Sequence, residues 1–167
     1  MPTYRHHRET TVTVAAPATA VFALLDNPAR LGAHMGRRSA MMAGATMHTE
    51  TDAQGGQAIG SVIRMHGRFW GLTLSLEESV VERLPLQRKV WETMGEPHLL
   101  VIGRYRMGFA LAAVANGTQV RLWIDYDLPL KRWPHALGRL LGSTYADWCL
   151  QQMAREVAHV PSITRMR

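Results

Sequence analysis

The stretch TTVTVAAPATAVFALLDNPARLGAH, residues 10–34, decides the predicted fold. Its first residues, Thr10–Ala15, largely alternate between polar and apolar side chains, which is the pattern of a half-buried strand. Pro17 suits the first turn of a helix, where its missing N–H costs no hydrogen bond. The Asp-Asn-Pro step at 26–28 then breaks the helix and begins another. The stretch therefore predicts one strand followed by a helical pair over Pro17–His34.

A series of β-hairpins is predicted for the middle of the chain. Alternating apolar residues predict strands around 59–66, 70–83, 90–94, 99–111 and 120–128. The predicted turns lie at Gly67, at Gly95-Glu96-Pro97 and at Asn116-Gly117, where Asn-Gly is a strong hairpin signal. Pro129 stops the sheet.

One long apolar helix is predicted to close the chain, from about Trp133 to His159. Its apolar residues recur near helical spacing in a broad stripe, as expected for a helix buried along most of its length. An antiparallel sheet crossed by a single long helix leaves a hollow between them. The order of elements therefore predicts a container for an apolar ligand.

Composition limits the classes of function. A chain of 167 residues with 47% hydrophobic and 19% charged residues is one globular domain, predicted over residues 10–160 between a flexible N-terminus (1–9, with a mobile His6-His7) and a tail (161–167). The net charge of +6 comes from scattered basic residues without a nucleic-acid-binding motif, so no nucleic-acid partner is predicted. One cysteine, no signal peptide and no long apolar run favour the cytoplasm.

No local motif predicts a metal or another cofactor. The eight histidines show no HxH or HExxH spacing, and a single cysteine forms no CxxC motif. Cys149 lies on the apolar stripe of the last helix and is predicted to be a buried, inert thiol rather than a nucleophile. Gly138 and Gly142 have a close-packing spacing that lets the helix approach the sheet more often than it marks a dimer.

The apolar strand faces and the helical stripe supply the candidate ligand-binding residues. The same residues packed as a solid core are the alternative interpretation. The candidates are Trp70, Leu72, Leu74, Trp91, Tyr105, Met107, Phe109, Leu122, Ile124, Tyr126, Leu141, Tyr145 and Trp148. Two tyrosines add polar tips to an apolar wall, which suits a mainly apolar ligand that carries an oxygen.

Glu78 is the candidate acid or base, together with Tyr105 and Tyr126. It falls in phase with Leu72, Leu74 and Leu76, which leaves two positions open: an inward one, or an outward one where the strand curls outward or a bulge rotates the phase. An inward position would raise its pKa through loss of solvent. Arg104 and Arg106 fall on the opposite face, where Asp125 and Asp127 of the next strand are candidate partners.

Three segments resemble the START-related SRPBCC superfamily, including its polyketide cyclase/dehydrase and lipid-transport branch: VTVAAPATAVFALLDNPARL, LEESVVERLPLQRKVWETMG and IDYDLP. The resemblance implies a helix-grip α+β fold, a curved antiparallel sheet wrapped around a long C-terminal helix, with two short helices after the first strand. Members bind lipids, sterols or plant hormones, cyclise polyketides, or act as oxygenase domains. The two-histidine and carboxylate iron site of the oxygenases has no counterpart in this sequence.

The expected function is binding or transport of a hydrophobic small molecule, lipid or polyketide-like, in the cavity between sheet and helix. The alternative is a metal-free enzyme of the cyclase or dehydratase type acting in the same cavity. A regulatory or chaperone-like interaction protein is a third class. At most transient contact with a membrane surface is expected, through Pro129–Pro134, and a monomer and a homodimer both remain open.

Overall fold

Seven strands and three helices lie in the part of the chain that the structure, a computed structural model, describes: residues 3–31, 46–69, 71–129 and 135–161. They are β1 (His6–Val14), α1 (Ala18–Leu25), α2 (Pro28–Leu31), β2 (Thr46–Thr51), β3 (Val62–Phe69), β4 (Leu72–Leu84), β5 (Arg88–His98), β6 (Tyr105–Val114), β7 (Gly117–Tyr126) and α3 (His135–Ala158). The strands form one antiparallel sheet in the order β1-β7-β6-β5-β4-β3-β2. This arrangement confirms the predicted helix-grip fold.

The core lies between the inner face of the sheet and the helices. Every second residue of β7 points inward and is buried, from Val120 through Leu122 and Ile124 to Tyr126. Helix α3 packs against β1 and β7. It buries one stripe of residues: Ala146, Cys149, Leu150, Met153 and Val157. Both periodicities are those that the sequence predicted.

Strand β1 begins earlier than the sequence predicted. It starts at His6 and pairs along its whole length with β7, so residues 6–9 are not a flexible terminus. The predicted mobile pair is held in place as well, since His7 Nδ1 lies 2.6 Å from the Asp125 carboxylate and the His6 ring stacks on Tyr126. The prediction was wrong because this end of the strand carries polar side chains and therefore lacks the hydrophobic alternation that marks a strand.

Two predicted turns are strand interior. Gly67 lies within β3, paired with Met47 and Leu74. Gly95 lies within β5 at a bulge and has a φ of +63°. A glycine adopts this left-handed conformation without a steric penalty, so the strand continues through it to His98. The chain turns in the segment 99–104 instead, and the strand predicted over 99–111 begins at Tyr105.

At Gly142 the close-packing interpretation is confirmed. A Cβ atom there would lie 2.7 Å from the Leu128 side chain and 3.3 Å from the ring of Tyr126. Because the glycine lacks that atom, α3 approaches the end of β7 closely. The predicted turn at Asn116-Gly117 is also confirmed, since Val114 pairs with Gly117 around a two-residue loop.

A buried ionic cluster joins the helical pair to the sheet. Asp26 follows α1, and its carboxylate accepts hydrogen bonds from two nitrogens of the Arg83 guanidinium. The shortest distances are 3.0 Å from Nε to Oδ1 and 2.7 Å from Nη2 to Oδ2. Lys89 Nζ donates to Asp26 Oδ1 at 2.9 Å, to the Asp26 carbonyl at 2.8 Å and to the Gly56 carbonyl at 2.7 Å. Only 2% of the Lys89 side chain and 5% of that of Asp26 are exposed. We call Asp26, Arg83 and Lys89 the ionic cluster.

A bulge in β4 places the cluster's arginine. Val81 is the extra residue between the pairs Val80–Trp91 and Glu82–Val90. The extra residue shifts the alternation of side chains, so that Arg83 lies opposite Lys89 and both reach Asp26. The cluster thus depends on the register of two neighbouring strands.

Removing the cluster's negative charge should destabilise the protein strongly. Asp26→Asn leaves two cations, one of them buried, without a counter-charge, so we expect the free energy of unfolding to fall by about 3 kcal/mol or more. Urea denaturation at neutral pH measures the change. The matched control is Glu77→Gln, which removes an exposed partner of Arg64 and should cost less than about 1 kcal/mol. Equal losses in the two variants would contradict a structural role for the cluster.

Candidate functional site

A cavity lies between the inner face of the sheet, the helical pair and α3. Apolar side chains form most of its wall: Leu25, Pro28, Leu31, Met47, Ile63, Met65, Leu76, Trp91, Leu99, Ile102, Met107, Ile124 and Met153. The remaining lining residues of the described ranges carry polar atoms or a thiol: Glu78, Lys89, Tyr105, Tyr145 and Cys149. A mainly apolar wall with a few convergent polar groups is typical of small-molecule sites.

The cavity is small but its wall is adaptable. The space open to the centres of water molecules is about 60 Å³, more than one water needs and well below the several hundred Å³ of many ligand pockets. Four of the lining side chains are methionines: Met47, Met65, Met107 and Met153. Methionine has three rotatable bonds and a polarizable sulfur, so such walls adapt to different occupants. A ligand of lipid size therefore requires these side chains to move.

Glu78 is the buried carboxyl group of the cavity. It follows Leu74 and Leu76 on the inner face of β4, while its neighbour Glu77 is exposed. Only 1% of Glu78 is exposed to solvent. The bulge that would have rotated it outward is absent, because the extra residue of β4 comes later in the strand. Of the two positions that the sequence leaves open for Glu78, the structure has the inward one.

The surroundings of Glu78 keep its proton affinity high. Loss of solvent raises the pKa of its carboxyl from 4.5 to about 7. Hydrogen bonds from the Tyr105 hydroxyl and the Trp91 indole, and the charge of Lys89, act in the opposite direction and do not cancel the effect of burial. Both ionisation states are therefore populated near neutral pH, which suits proton exchange with a bound molecule.

Tyr105 is held against Glu78 from both ends. Its hydroxyl donates a hydrogen bond to Glu78 Oε1, and its backbone N–H donates to Thr93 Oγ1 at 3.2 Å. Burial, and next the neighbouring carboxylate, raise the pKa of Tyr105 well above its usual value of 10. The tyrosine therefore stays protonated and serves as a hydrogen-bond donor.

Lys89 lines the cavity but is fully engaged elsewhere. The ammonium group has three hydrogens, and the ionic cluster and Gly56 accept all three. Burial lowers the pKa of Lys89, and the hydrogen bond and charge of Asp26 oppose that change. A scattered basic residue is expected on a solvated surface, and for Lys89 that expectation is wrong. Its position two residues before Trp91 on one strand is the signal that would have placed it on the inner face.

Cys149 and Tyr145 form a second polar pair on α3. The two side chains are hydrogen-bonded to each other. Burial raises the pKa of the Cys149 thiol to about 12. The thiolate, which is the nucleophilic form, is therefore scarce at neutral pH. This buried position agrees with the prediction that Cys149 is a buried, inert thiol.

Five of the predicted ligand-binding residues line the cavity: Trp91, Tyr105, Met107, Ile124 and Tyr145. Seven others do not line it. Trp70 lies outside the described residues. Of the seven that do not line the cavity, Leu72 was predicted to face inward but lies at the start of β4 and is 48% exposed. Leu141 and Trp148 are half-buried on α3 and are also absent from the wall.

The other four predicted residues are packed in the core away from the cavity: Leu74, Phe109, Leu122 and Tyr126. Phe109 is covered by Phe22 of α1, with ring centroids 5.7 Å apart. The Tyr126 ring stacks on His6, so this tyrosine is no candidate acid or base of the cavity. The error arises because strand phase predicts which face is inward, whereas the helices decide which inward residues they cover.

The outer face of the sheet carries ion pairs. Arg104 donates to the Asp127 carboxylate at 3.1 Å, which confirms the predicted pairing for this arginine. In the described part of the chain, no three His, Cys, Asp or Glu side chains lie close enough to share a metal ion. No helix within those ranges is long and apolar enough to cross a membrane.

A model of the family described as polyketide cyclase / dehydrase and lipid transport matches residues 5–158. The chain belongs to this family. No curated protein matches the chain. The match to the family model confirms the predicted relationship to the cyclase and lipid-transport branch.

Solved structures share the fold. The Zhui aromatase/cyclase from Streptomyces sp. R1128 is 18% identical, with a TM-score of 0.66 over 92% of this chain and 91% of that one. TTHA0849 from Thermus thermophilus is 16% identical, with a TM-score of 0.64 over 91% of this chain and 97% of that one. The di-domain ARO/CYC BexL of the BE-7585A biosynthetic pathway is 16% identical, with a TM-score of 0.65 over 96% of this chain and 50% of that one. At these identities the likeness establishes the fold alone.

The pKa of Glu78 predicts a specific dependence of stability on pH. The unfolded glutamate loses its proton near pH 4.5 and the folded one near pH 7, so the folded state binds more protons between these values. The contribution of Glu78 to the free energy of unfolding is complete below about pH 4.5. It falls by about 3 kcal/mol as the pH rises through 7. Urea denaturation at pH 4 and pH 8 of the wild type and Glu78→Gln isolates this contribution as their difference.

The exposed neighbour supplies the control for this measurement. The difference between wild type and Glu77→Gln should change by less than about 1 kcal/mol over the same range. A pH-independent difference between wild type and Glu78→Gln would contradict the raised pKa.

Proposed function

We propose that this protein binds a hydrophobic small molecule in the cavity, and that the Glu78 carboxyl contacts the polar group of that molecule. The observation that supports the proposal most directly is one buried carboxyl in a mainly apolar wall between sheet and helix. Family membership supports hydrophobic ligand binding or cyclase activity at the level of the family. A lipid or polyketide-like molecule is the proposed ligand class.

The driving force of binding would be removal of apolar ligand surface from water. This contributes about 25 cal/mol per Å² before the costs of ordering the ligand and the wall. The four methionines allow the wall to close around ligands of different shape. A single polar contact at Glu78 would then orient the ligand within a wall that is otherwise non-directional.

Filling the cavity should abolish ligand binding. Met107→Trp places an indole ring in the cavity in place of a smaller side chain of β6. We expect binding to fall by at least about tenfold, because the ring takes up space that the ligand would occupy. Native mass spectrometry of freshly purified protein, solvent extraction of any bound molecule, and titration with the neutral fluorophore N-phenyl-1-naphthylamine provide the readouts. Val114→Trp at the exposed end of the same strand is the matched control. Undiminished binding by a folded Met107→Trp variant would contradict the cavity as the binding site.

A specific observation also supports an enzyme of the cyclase or dehydratase type as the second candidate. The carboxyl of Glu78 has a pKa of about 7, close to the working pH that general acid–base catalysis requires. In such an enzyme Glu78 would remove or return a proton on the bound substrate. Tyr105 would hold the carboxyl in position through its hydroxyl.

The enzyme hypothesis predicts a kinetic defect without a comparable binding defect. On an aromatic or polyketide-like substrate that the wild-type protein turns over, Glu78→Gln should lower kcat by about 10²- to 10⁴-fold. The reason is that the glutamine amide does not exchange a proton with the substrate. The dissociation constant of the substrate should change far less. The assay is turnover followed by mass spectrometry, with Glu77→Gln as the control. Turnover unaffected by Glu78→Gln would exclude this carboxyl as the acid or base.

A further inference from the structure

The hydrogen-bond donors around Glu78 are already engaged with that carboxyl. The Tyr105 hydroxyl has one hydrogen and donates it to Glu78 Oε1. The Trp91 indole has one N–H and is also hydrogen-bonded to the Glu78 carboxyl. An indole is a donor only, and a hydroxyl has a single hydrogen. Neither side chain therefore has a hydrogen left for a ligand while it holds Glu78.

The cation in the wall is engaged as well. All three hydrogens of Lys89 point at oxygens of Asp26 and Gly56, at 2.7 to 2.9 Å. The charge is balanced by the Asp26 carboxylate, which Arg83 also contacts. Around the Glu78 carboxyl, Tyr105, Trp91 and Lys89 thus offer neither a free hydrogen nor an unbalanced positive charge.

Acceptor capacity remains at the same place. A carboxylate accepts about four hydrogen bonds, and Tyr105 and Trp91 supply two of them. The carboxyl is buried, so water does not freely provide the rest. A buried acceptor without a partner costs free energy, and a ligand that supplies the missing hydrogen recovers it.

We infer that the cavity, with Glu78 ionised, selects apolar molecules that carry a hydrogen-bond donor, a hydroxyl or an N–H group, which donates to the Glu78 carboxylate. This inference rests on the proposed binding function and specifies its ligand class. An ether or a ketone brings only an acceptor, which would face the Glu78 carboxylate without a hydrogen between them. A carboxylate ligand brings a second negative charge to a site whose cation is balanced.

Four small probes separate these classes in the wild-type protein. They are 4-ethylphenol, its methyl analogue 4-ethyltoluene, its ether 4-ethylanisole, and the anion 4-ethylbenzoate. The titrations are made by calorimetry at pH 8.5, where the Glu78 carboxyl is ionised and the phenol keeps its proton. We expect 4-ethylphenol to bind at least about tenfold tighter than each of the other three.

Variants assign the preference to Glu78. Glu78→Gln replaces one acceptor oxygen by an NH₂ donor, so the preference for the phenol over the ether should fall by about tenfold. Glu77→Gln, one residue away on the outer face, should leave the preference unchanged. Tyr105→Phe keeps the carboxyl and removes one of its donors, so the preference for the phenol should persist. This third variant decides the assignment if Glu78→Gln fails to fold.

The outcomes distinguish this inference from the proposed function. If the probes bind with equal affinity, or the ether or the benzoate binds best, the inference is overturned while binding in the cavity stands. If the phenol preference survives Glu78→Gln or disappears in folded Tyr105→Phe, the assignment to the Glu78 carboxyl is overturned. If none of the four probes binds, the proposed binding of apolar small molecules itself fails.

Discussion

The buried carboxylate of Asp26, shared by Lys89 and Arg83, is the interaction on which the site depends. It joins the corner between α1 and α2 to the inner face of β4 and β5. Leu25 and Pro28, on either side of this corner, line one end of the cavity. A buried ion pair contributes little net free energy to folding, because both charged groups lose their hydration. Its role here is positional, since it ties the corner between the two short helices to the sheet, in addition to the apolar contacts that bury one face of α1.

The same cluster sets the electrostatics of the cavity. Lys89 reaches the wall, yet its hydrogens and its charge are directed at Asp26 and Gly56. Glu78, on the neighbouring strand, has no ion-pair partner among the described residues, and its pKa rises to about 7 as a result of burial. Two buried charges thus differ in role because one is paired and the other is left with hydrogen-bond donors alone. The unpaired carboxyl is the chemically adaptable group of the site.

Strand periodicity carried the sequence prediction of Glu78 and failed for Lys89. On β4 the alternation from Leu74 to Val80 is unbroken, so counting in twos places Glu78 correctly on the inner face. On β5 a charged residue beside Arg88 resembles a solvated pair, and its burial depends on Asp26, which lies 63 positions earlier in the chain. The bulge at Val81 that brings Arg83 to the same carboxylate has no sequence signal of its own. Long-range partners of this kind are invisible to a local pattern.

The sequence by itself determined the order of elements, the helix-grip fold, the buried thiol of Cys149 and the phase that Glu78 shares with Leu74 and Leu76. These follow from the periods of strand and helix and from proline and glycine at element ends, all of which act over a few residues. Only the tertiary structure decided which inward residues line the cavity and which the helices cover, as at Phe109 beneath Phe22. It also decided that Gly95 bends a strand rather than ending it. Those outcomes depend on how distant segments pack, and packing is a property of three-dimensional neighbours.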